Sequence, residues 1–295
     1  MIPYGSLVVY ATPRGKRYVR RLEREQDWHS NDGCLPAERV AALDFGALVH
    51  TSLGVPVFVQ EATLFDRLLH VRRQTQIIYP KDIAYICLRL GAGPGRVVVE
   101  AGCGSGALTL ALSWFCGPTG RVVSHDAREE FLRLARRNLK WAGLGDNVDL
   151  HHRDIAEGFA CGGADALFLD VRAPWDCLGH AAAALRPGAV LGFLLPTADQ
   201  VGKLLLGLEQ GPFGDTEVCE ILIRRWKPVP DRLRPEDRMV AHTGFLIFSR
   251  LQEGGSLMAS FRSRGTRERK QETARLLRGQ SVGGLCPPSS DNLQA

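Results

Sequence analysis

The segment from Val97 to Leu112, which reads VVVEAGCGSGALTLAL, constrains the fold of this chain more than any other. It is an apolar run typical of a buried strand, followed by a turn with three glycines and then by a helical pattern. Glycine has no Cβ, so the backbone at Gly102, Gly104 and Gly106 can turn sharply and lie close to a ligand. The helix N-terminus behind the turn offers unpaired N–H groups and a favourable dipole. The segment therefore predicts a site for a nucleotide-like cofactor.

The rest of the chain alternates between predicted strands and helices from about residue 80 to residue 250, which indicates a parallel sheet covered on both faces. Strands are predicted over 96–101, 121–125, 147–152, 165–170, 188–195, 217–225 and 243–249. Helices are predicted over 81–90, 106–116, 127–142, 175–186 and 198–210. Two short strands around the Pro13-Arg14-Gly15 turn and a third strand over 55–63 are predicted before this region, and apolar periodicity stops after Arg250. We expect a small β-rich domain over 1–64, a catalytic α/β domain over 65–250 and a disordered basic tail over 251–295.

Composition sets wider limits on the class of protein. The chain has 295 residues and a formal net charge of +5, which permits a nucleic-acid partner without requiring one. Its eight cysteines form no Cys-x-x-Cys pair, and the histidine spacing indicates no zinc site. No apolar run has the length of a membrane span and no signal peptide is evident, so we expect a cytoplasmic protein without membrane or metal.

Acidic residues after three successive strands bear on which cofactor the glycine turn binds. The turn fits both a dinucleotide and S-adenosylmethionine, and Asp126, about one βα unit later, could accept the ribose hydroxyls of either. Asp154 is placed to meet an adenine edge, although it could equally be a helix N-cap. Glu100 lies where a cationic amino group would be. Because the chain has no second glycine turn for the other half of a dinucleotide, the sequence favours S-adenosylmethionine over NAD.

Four motifs in order carry a resemblance to a known family. They are QTQIIYPKDIAYI, EAGCGSGAL, DVRAPW and HTGFLIFS. With them, residues 4 to 250 resemble the tRNA (adenine-58-N1)-methyltransferases, of the bacterial and archaeal TrmI type and the eukaryotic catalytic subunit. The resemblance implies a Rossmann-like, seven-stranded sheet of the S-adenosylmethionine-dependent methyltransferases, preceded by a small N-terminal β domain. It also implies tRNA as substrate and a homotetramer.

The resemblance implies roles for individual residues. The methionine side of the cofactor would contact Gly102, Gly104, Ser105, Gly106 and Leu108. Asp126 would hold the ribose, Asp154 the adenine, and Gln76 would contact the cofactor from above. Asp170 would be the catalytic carboxylate, and Tyr79 with the turn His242-Thr243-Gly244 would border the pocket for the target base. The family usually has tyrosine before the ribose acid, so His125 alters a neighbour of the adenine.

The sequence around Asp170 bears on the reaction. Enzymes that methylate the exocyclic amines of bases typically carry Asp/Asn-Pro-Pro-aromatic after the fourth strand, whereas this chain has DVRAPW. A ring nitrogen such as adenine N1 attacks a methyl group without first losing a proton, so the enzyme mainly aligns the reactants. Asp170 could stabilise the charge that develops on adenine by accepting from its N6–H, or it could be a structural loop cap. Tyr79 and Trp175 could meet an extruded base or belong to the core, and His242 could touch RNA or be packed.

Several functions stay open beside adenine-58 methylation. Methylation of the adjacent adenine 57 is one of them, and a small-molecule substrate is another. The N-terminal β domain and the net positive charge argue against a small substrate, because binding it requires neither feature. A third is a non-catalytic RNA-binding partner subunit, but such partners lose the glycine turn and the catalytic acid, and both are present here.

Overall fold

The computed structural model of the protein describes residues 1–74 and 76–252, which form two main sheets with helices packed on them. The strands are β1 (Leu7–Ala11), β2 (Arg17–Arg21), β3 (Trp28–Ser30), β4 (Gly33–Leu35), β5 (Leu48–His50), β6 (Pro56–Glu61), β7 (Val97–Ala101), β8 (Arg121–Asp126), β9 (Val148–His152), β10 (Ala164–Leu169), β11 (Leu185–Leu195), β12 (Phe213–Cys219), β13 (Trp226–Lys227), β14 (Arg234–Pro235) and β15 (Phe245–Leu251). The α-helices are α1 (Ala37–Ala41), α2 (Leu64–His70), α3 (Pro80–Leu90), α4 (Ala107–Cys116), α5 (Glu129–Ala142), α6 (Leu178–Ala184) and α7 (Ala198–Gln210).

The first sheet is antiparallel and has the order β2-β1-β6-β5. Its central strand β1 is buried on both faces over Leu7–Tyr10, which explains the continuous apolar run there. The predicted pair of strands around the Pro-Arg-Gly turn is confirmed as β1 and β2, and the predicted third strand is confirmed as β6. This sheet has its own small core, in which Tyr10 stacks on Trp28 with ring centroids 4.5 Å apart.

The second sheet has seven strands in the order β12-β15-β11-β10-β7-β8-β9, as the Rossmann-like prediction requires. Five strands that are neighbours in the sheet run parallel to one another: β11, β10, β7, β8 and β9. Strand β15 is antiparallel to both of its neighbours, β11 and β12. The sheet is therefore mixed rather than wholly parallel. The chain passes from β12 to the neighbouring β15 without a crossover helix, and β15 therefore runs antiparallel to β12.

Helices cover this second sheet on both faces. Alternate side chains point to opposite faces of a strand: Val98 packs in the core beneath α3, α4 and α5, whereas Val99 packs in the core beneath α6 and α7. Since the central strands are buried on both faces, the sheet places the carboxyl ends of β7, β8 and β10 at one edge, where ligands bind in folds of this class.

The helix predicted over 175–186 is shorter than expected. The structure has a 3₁₀ turn at Pro174–Cys177 followed by α6, and β11 already begins at Leu185. Proline disfavours a helical backbone conformation at the residue before it, and here Arg186 precedes Pro187. Leu185 instead pairs with Ala164 at the start of β10.

The strand predicted over 217–225 is misplaced, because β12 covers Phe213–Cys219. As an edge strand, β12 pairs within its sheet only with β15, whose first residue Phe245 pairs with β11. Cys219 pairs with Leu246, so the apolar residues that follow have no ladder to join, and Leu222 is exposed.

Two further predictions concern a membrane span and the C-terminal tail. Within 1–74 and 76–252, no helix is long and apolar enough to cross a membrane. The disordered basic tail predicted over 251–295 lies outside the described residues from 253 onward.

Candidate active site

The glycine turn connects β7 to α4 in a backbone conformation that side chains rarely adopt. Gly102, Gly104 and Gly106 have φ angles of 85°, 50° and 78°. A Cβ at Gly102 would lie 2.1 Å from the carbonyl oxygen of Asp170, and one at Gly106 would lie 2.8 Å from the Cβ of Ala135. The end of β7 therefore lies so close to the end of β10, and the start of α4 so close to α5, that only glycine fits at these two positions.

A cavity of about 150 Å³ opens over this turn. Eight residues that sequence analysis assigned to the cofactor or to catalysis line it: Gln76, Glu100, Gly102, Gly104, Ser105, Leu108, Asp126 and Asp170. Five further residues complete the wall: Ile77, Ile78, Cys103, Ala107 and Arg128. The structure thus brings together, from four separate segments, most of the residues expected at one site.

Asp126 is the buried carboxylate at the end of β8, and it braces the glycine turn. Its Oδ2 accepts from the backbone N–H of Gly104 at 3.1 Å, and its Oδ1 accepts from the backbone N–H of Arg128 at 3.0 Å. The guanidinium of Arg128 is 3.7 Å away and stacks over Phe131. Sequence analysis missed Arg128, although its position two residues after Asp126 was an available signal.

Glu100 is buried beneath the cavity at the end of β7. Its Oε2 accepts from the hydroxyls of Thr109 at 2.6 Å and Ser124 at 2.7 Å. Burial raises the pKa of its carboxyl to about 7, and the negative charges of Asp170 and Asp126 act in the same direction, against those hydrogen bonds. Near pH 7, Glu100 therefore exists in both its charged and its uncharged form. A cation in the cavity would favour the charged form.

Asp170 follows β10, and its backbone N–H donates to the carbonyl of Ala101 at 2.9 Å. Its side chain is open to water but lies in a recess where protein atoms replace much of the surrounding solvent. This partial burial raises its pKa to about 6, and the charge of Asp126 adds to the effect. At neutral pH the group is therefore mainly a carboxylate, facing the same cavity as the glycine turn.

Ser105 supplies a test of whether the cavity suits a ligand. Its hydroxyl is buried and has no hydrogen-bond partner among the described residues. Buried polar atoms without a partner are rare, so the atom is available to a ligand that lines the turn. Together with the glycines and three carboxylates, it fits a polar nucleoside carrying a cationic centre, as S-adenosylmethionine does.

Two predicted cofactor residues stand apart from the cavity wall. Asp154 is exposed, and its side chain accepts from the backbone N–H of Ala156 at 2.9 Å, so it caps the 3₁₀ turn Ile155–Glu157. Gly106 is the N-cap residue of α4 and contributes its backbone conformation. The N-cap alternative for Asp154 is therefore realised, and its contact with adenine stays a prediction.

A buried ion pair connects two residues expected at the base pocket. Lys81 Nζ lies 2.7 Å from Asp82 Oδ1 and donates to Thr243 Oγ1 at 2.5 Å, while Thr243 Oγ1 donates to Asp82 Oδ2 at 2.8 Å. Tyr79 is the N-cap residue of α3, and its carbonyl accepts from the N–H of Asp82. The start of α3 and the turn before β15 are therefore fixed to each other, which the sequence could not show.

We expect Thr243→Val to lower the free energy of unfolding by about 1–3 kcal/mol, because it leaves the buried Asp82 carboxylate with one hydrogen bond fewer. Thr243→Ser should keep most of the stability, since it retains the hydroxyl. Urea denaturation measures both variants, with Thr119→Val at an exposed threonine as the matched control. Equal stabilities for the valine variants at positions 243 and 119 would contradict the role of the hydroxyl.

His242 makes two polar contacts at this turn. Its Nδ1 is 2.6 Å from Glu220 Oε1, and its Nε2 is 3.0 Å from the carbonyl oxygen of Pro196. The hydrogen bond to Glu220 raises the pKa of the imidazole, and the bond to Pro196 adds to it. The His242 side chain is 47% exposed and its ring lies edge-on to Phe245 with centroids 4.9 Å apart, so it is partly packed and its contact with RNA stays a prediction.

Trp175 and His125 lie in packed surroundings. Trp175 is half-buried against the core under α6 and α7 and does not line the cavity, so its contact with RNA stays a prediction. His125 is fully buried, with its Nδ1 3.1 Å from the Glu100 carbonyl oxygen and its Nε2 accepting from Ala160 N–H at 3.0 Å. Burial lowers its pKa, and its ring packs against Phe159 rather than on the cavity wall.

The strand order, the glycine turn after β7 and the acids at the ends of β7, β8 and β10 together define a Rossmann-like methyltransferase of the S-adenosylmethionine-dependent class. A solved structure of this class, an S-adenosylmethionine-dependent O-methyltransferase from Thermotoga maritima, superposes with a TM-score of 0.80 and is 37% identical, over 85% of this chain and 94% of that one. The TrmI tRNA (m1A58) methyltransferase from Aquifex aeolicus has a TM-score of 0.74 and 39% identity, over 84% and 98%.

Sequence comparison narrows the class to a family. Residues 61–234 match the family described as tRNA methyltransferase complex GCD14 subunit. The chain is 34% identical to the tRNA (adenine(58)-N(1))-methyltransferase TrmI of Thermus thermophilus, over 79% of this chain and 92% of that one. It is 31% identical to a tRNA (adenine(57)-N(1)/adenine(58)-N(1))-methyltransferase TrmI of Methanocaldococcus jannaschii, over 85% and 96%. The chain therefore belongs to the family of tRNA (adenine-N1)-methyltransferases.

Proposed function

We propose that this enzyme transfers a methyl group from S-adenosylmethionine to N1 of adenine 58 in the T loop of tRNA. The observation that carries the proposal is the Asp170 carboxylate, which faces the same cavity as the glycine turn in a chain of this family. The turn suits the methyl donor, and the carboxylate suits a purine that becomes positively charged.

Cofactor binding would use the residues already grouped around the cavity. Gly102, Gly104 and Ser105 offer backbone and hydroxyl groups to the methionine part, with Glu100 for its ammonium group. Asp126 would accept from the ribose hydroxyls. When bound, S-adenosylmethionine supplies a methyl group on a sulfonium, which needs no metal to react with nitrogen.

The protein's contribution to the reaction is alignment and charge stabilisation. Adenine N1 carries an in-plane lone pair, so no base is needed to remove a proton before attack. As N1 bonds to the methyl carbon, the carbon–sulfur bond would break and its electron pair would leave with sulfur as a neutral thioether. Positive charge would then spread over the adenine ring, and its N6–H would become a stronger donor. Asp170 would accept from N6–H and thereby both orient the ring and stabilise that charge.

The target base must leave its stack in the folded T loop to reach this cavity. Tyr79 and Thr243 would border the opening, and the Lys81–Asp82–Thr243 contacts keep their segments together. His242 would contact the base or the RNA backbone, and Trp175 a neighbouring nucleotide. Asp154, one strand away, would approach the cofactor's adenine.

Incubation of unmodified tRNA with labelled S-adenosylmethionine, followed by nucleoside mass spectrometry and fragment mapping, tests the function. We expect 1-methyladenosine at position 58. Modification of adenine 57 as well would show the wider specificity that the name of the Methanocaldococcus relative states. Label only on cytosine or guanine, or no label from an enzyme that binds the cofactor, would overturn the proposal.

O-methylation is the second candidate, because the Thermotoga structure is named an O-methyltransferase. A hydroxyl must lose its proton on methylation, and Asp170 could accept it. The same mass spectrometry separates the two reactions, since a 2′-O-methylated nucleoside differs from 1-methyladenosine in its fragments. Transfer to a small hydroxylated molecule would appear as label outside the tRNA.

The assembly is part of the proposal. We infer a homotetramer, because several subunits would supply more positive surface to a tRNA than one chain with a net charge of +5. A relative named as a catalytic subunit, from Cryptococcus neoformans, supports the alternative of a complex with a second kind of chain; this chain covers 53% of its length. Light scattering on the purified protein would give a mass four times the 32.4 kDa of one chain for the tetramer.

We expect cofactor affinity to depend on pH through Glu100. Its carboxyl has a pKa of about 7, so it is increasingly neutral below pH 7 and attracts the cofactor's ammonium less. The Kd for S-adenosylmethionine should rise as the pH falls from about 8 to about 6, by at most tenfold per pH unit. Isothermal titration measures it.

5′-Methylthioadenosine, which lacks the ammonium group, is the control ligand, and its Kd should change much less over the same range. Glu100→Gln should remove most of the difference between the two ligands. Parallel pH dependence for both ligands in the unsubstituted protein would show that Glu100 does not meet the ammonium group.

A further inference from the structure

A second, larger groove lies between the first sheet and the second. It has a volume of about 600 Å³ and is bounded by β2 and the residues after it, by α5, and by the segment after α2. Four arginines line it with one acidic residue: Arg20, Arg21, Arg72, Arg137 and Glu23. The groove is therefore strongly basic, although the whole chain is only mildly so.

The arginines fall into two groups by their contacts. Arg21 donates to the carbonyl groups of Trp141 and Lys140 at the end of α5, so it holds the two walls together. Arg72 and Arg137 are exposed, and neither side chain makes an ion pair or hydrogen bond within the part of the chain that the structure describes. Among the described residues, the guanidinium of Arg20 donates a hydrogen bond only to the backbone carbonyl of Val19. Three guanidinium groups thus line the groove without a carboxylate partner in the described ranges 1–74 and 76–252.

Asn138 connects this groove to the active site. It lies on α5 next to Arg137 and is buried. Its side-chain amide exchanges two hydrogen bonds with the backbone of Arg72, at 3.1 and 2.8 Å, and also donates to the Ser105 carbonyl at 2.7 Å. Gln76 on the cavity wall is four residues beyond Arg72, so at most about 14 Å of chain separates them. The groove therefore begins beside the cofactor turn.

We propose that this groove binds the phosphodiester backbone of the RNA substrate next to the nucleotide that enters the active site. The inference rests on the proposed function and adds a second contact surface to it. Guanidinium groups donate to phosphate oxygens in a planar fork, and their unpaired state in the free protein means that no internal ion pair must break first. Arg72 lies in the segment after α2 and Arg137 on α5, so the groove offers two separate guanidinium forks to the RNA backbone.

The test compares Arg72→Gln, Arg137→Gln and the double variant with the unsubstituted protein. Removing one arginine–phosphate interaction should lower the slope of log binding constant against log salt concentration by about one, and the double variant should lower it by about two. The KM for tRNA should rise about three- to tenfold per substitution, while kcat and the Kd for S-adenosylmethionine stay unchanged. Lys203→Gln removes the same charge from α7 on the opposite face of the second sheet and should leave slope and KM unaltered.

The outcomes separate this inference from the proposed function. If the unsubstituted protein methylates tRNA and the groove variants keep its salt slope and KM, the groove does not bind RNA and the proposed function stands. If the variants change the mass measured by light scattering, the groove is an interface between copies of the chain and the inference is wrong. If the unsubstituted protein neither binds nor methylates tRNA, the proposed function is wrong. The inference that RNA occupies the groove is then wrong as well.

Discussion

Asp170→Asn should reduce methyl transfer by about 10²- to 10³-fold and leave cofactor affinity within about twofold. Asparagine keeps the shape of the side chain and an oxygen that can accept from adenine N6–H. It loses the negative charge that would oppose the positive charge developing on the base. If charge stabilisation is the main contribution, Asp170→Ala should be little worse than Asp170→Asn.

Single-turnover kinetics with saturating tRNA, beside titration of S-adenosylmethionine, measures both effects. Asp146→Asn, an exposed acid in the turn before β9 at the edge of the sheet opposite the cavity, removes the same charge and should change neither. In the unsubstituted protein, transfer should also fall below about pH 6, where Asp170 takes up a proton because partial burial and Asp126 raise its pKa. Near-normal transfer by the asparagine variant would assign Asp170 to the loop-cap role.

Local patterns predicted much of the fold and the centre of the site. The strand–turn–helix unit over β7 and α4, and the helix over Ala198–Gln210, follow from apolar periodicity and from glycine and cap signals within one short window. The acids at strand ends could also be predicted, because parallel strands bring their carboxyl ends to one edge. Eight of the expected residues therefore meet at one cavity.

The features that the sequence could not show depend on contacts between distant segments. Thr243 and Asp82 are 161 positions apart, and the basic groove takes its arginines from β2, α5 and the segment between them. The end of β12 was also misjudged, because its extent is set by the start of its partner β15 rather than by its own apolar residues. Burial, which raises the pKa of Glu100 and Asp170, likewise has no signature within one segment.

Gly102→Ala should be the most damaging change to stability, lowering the free energy of unfolding by about 3–5 kcal/mol. Two costs combine at this position. The backbone φ of 85° disfavours any residue with a Cβ, and the added methyl group would lie 2.1 Å from the carbonyl oxygen of Asp170. Relief of that overlap requires β7 and the residue after β10 to move apart.

Gly91→Ala separates the two costs, because Gly91 has a φ of 64° but no atom within 4 Å of the added Cβ. It should lose only about 1–2 kcal/mol in urea denaturation. Since movement at Gly102 displaces Asp170 and the turn together, folded Gly102→Ala protein should lose both cofactor binding and methyl transfer, which Gly91→Ala keeps. Equal stability and equal cofactor affinity for the two variants would mean that the close approach of these strand ends is not what requires glycine at the turn.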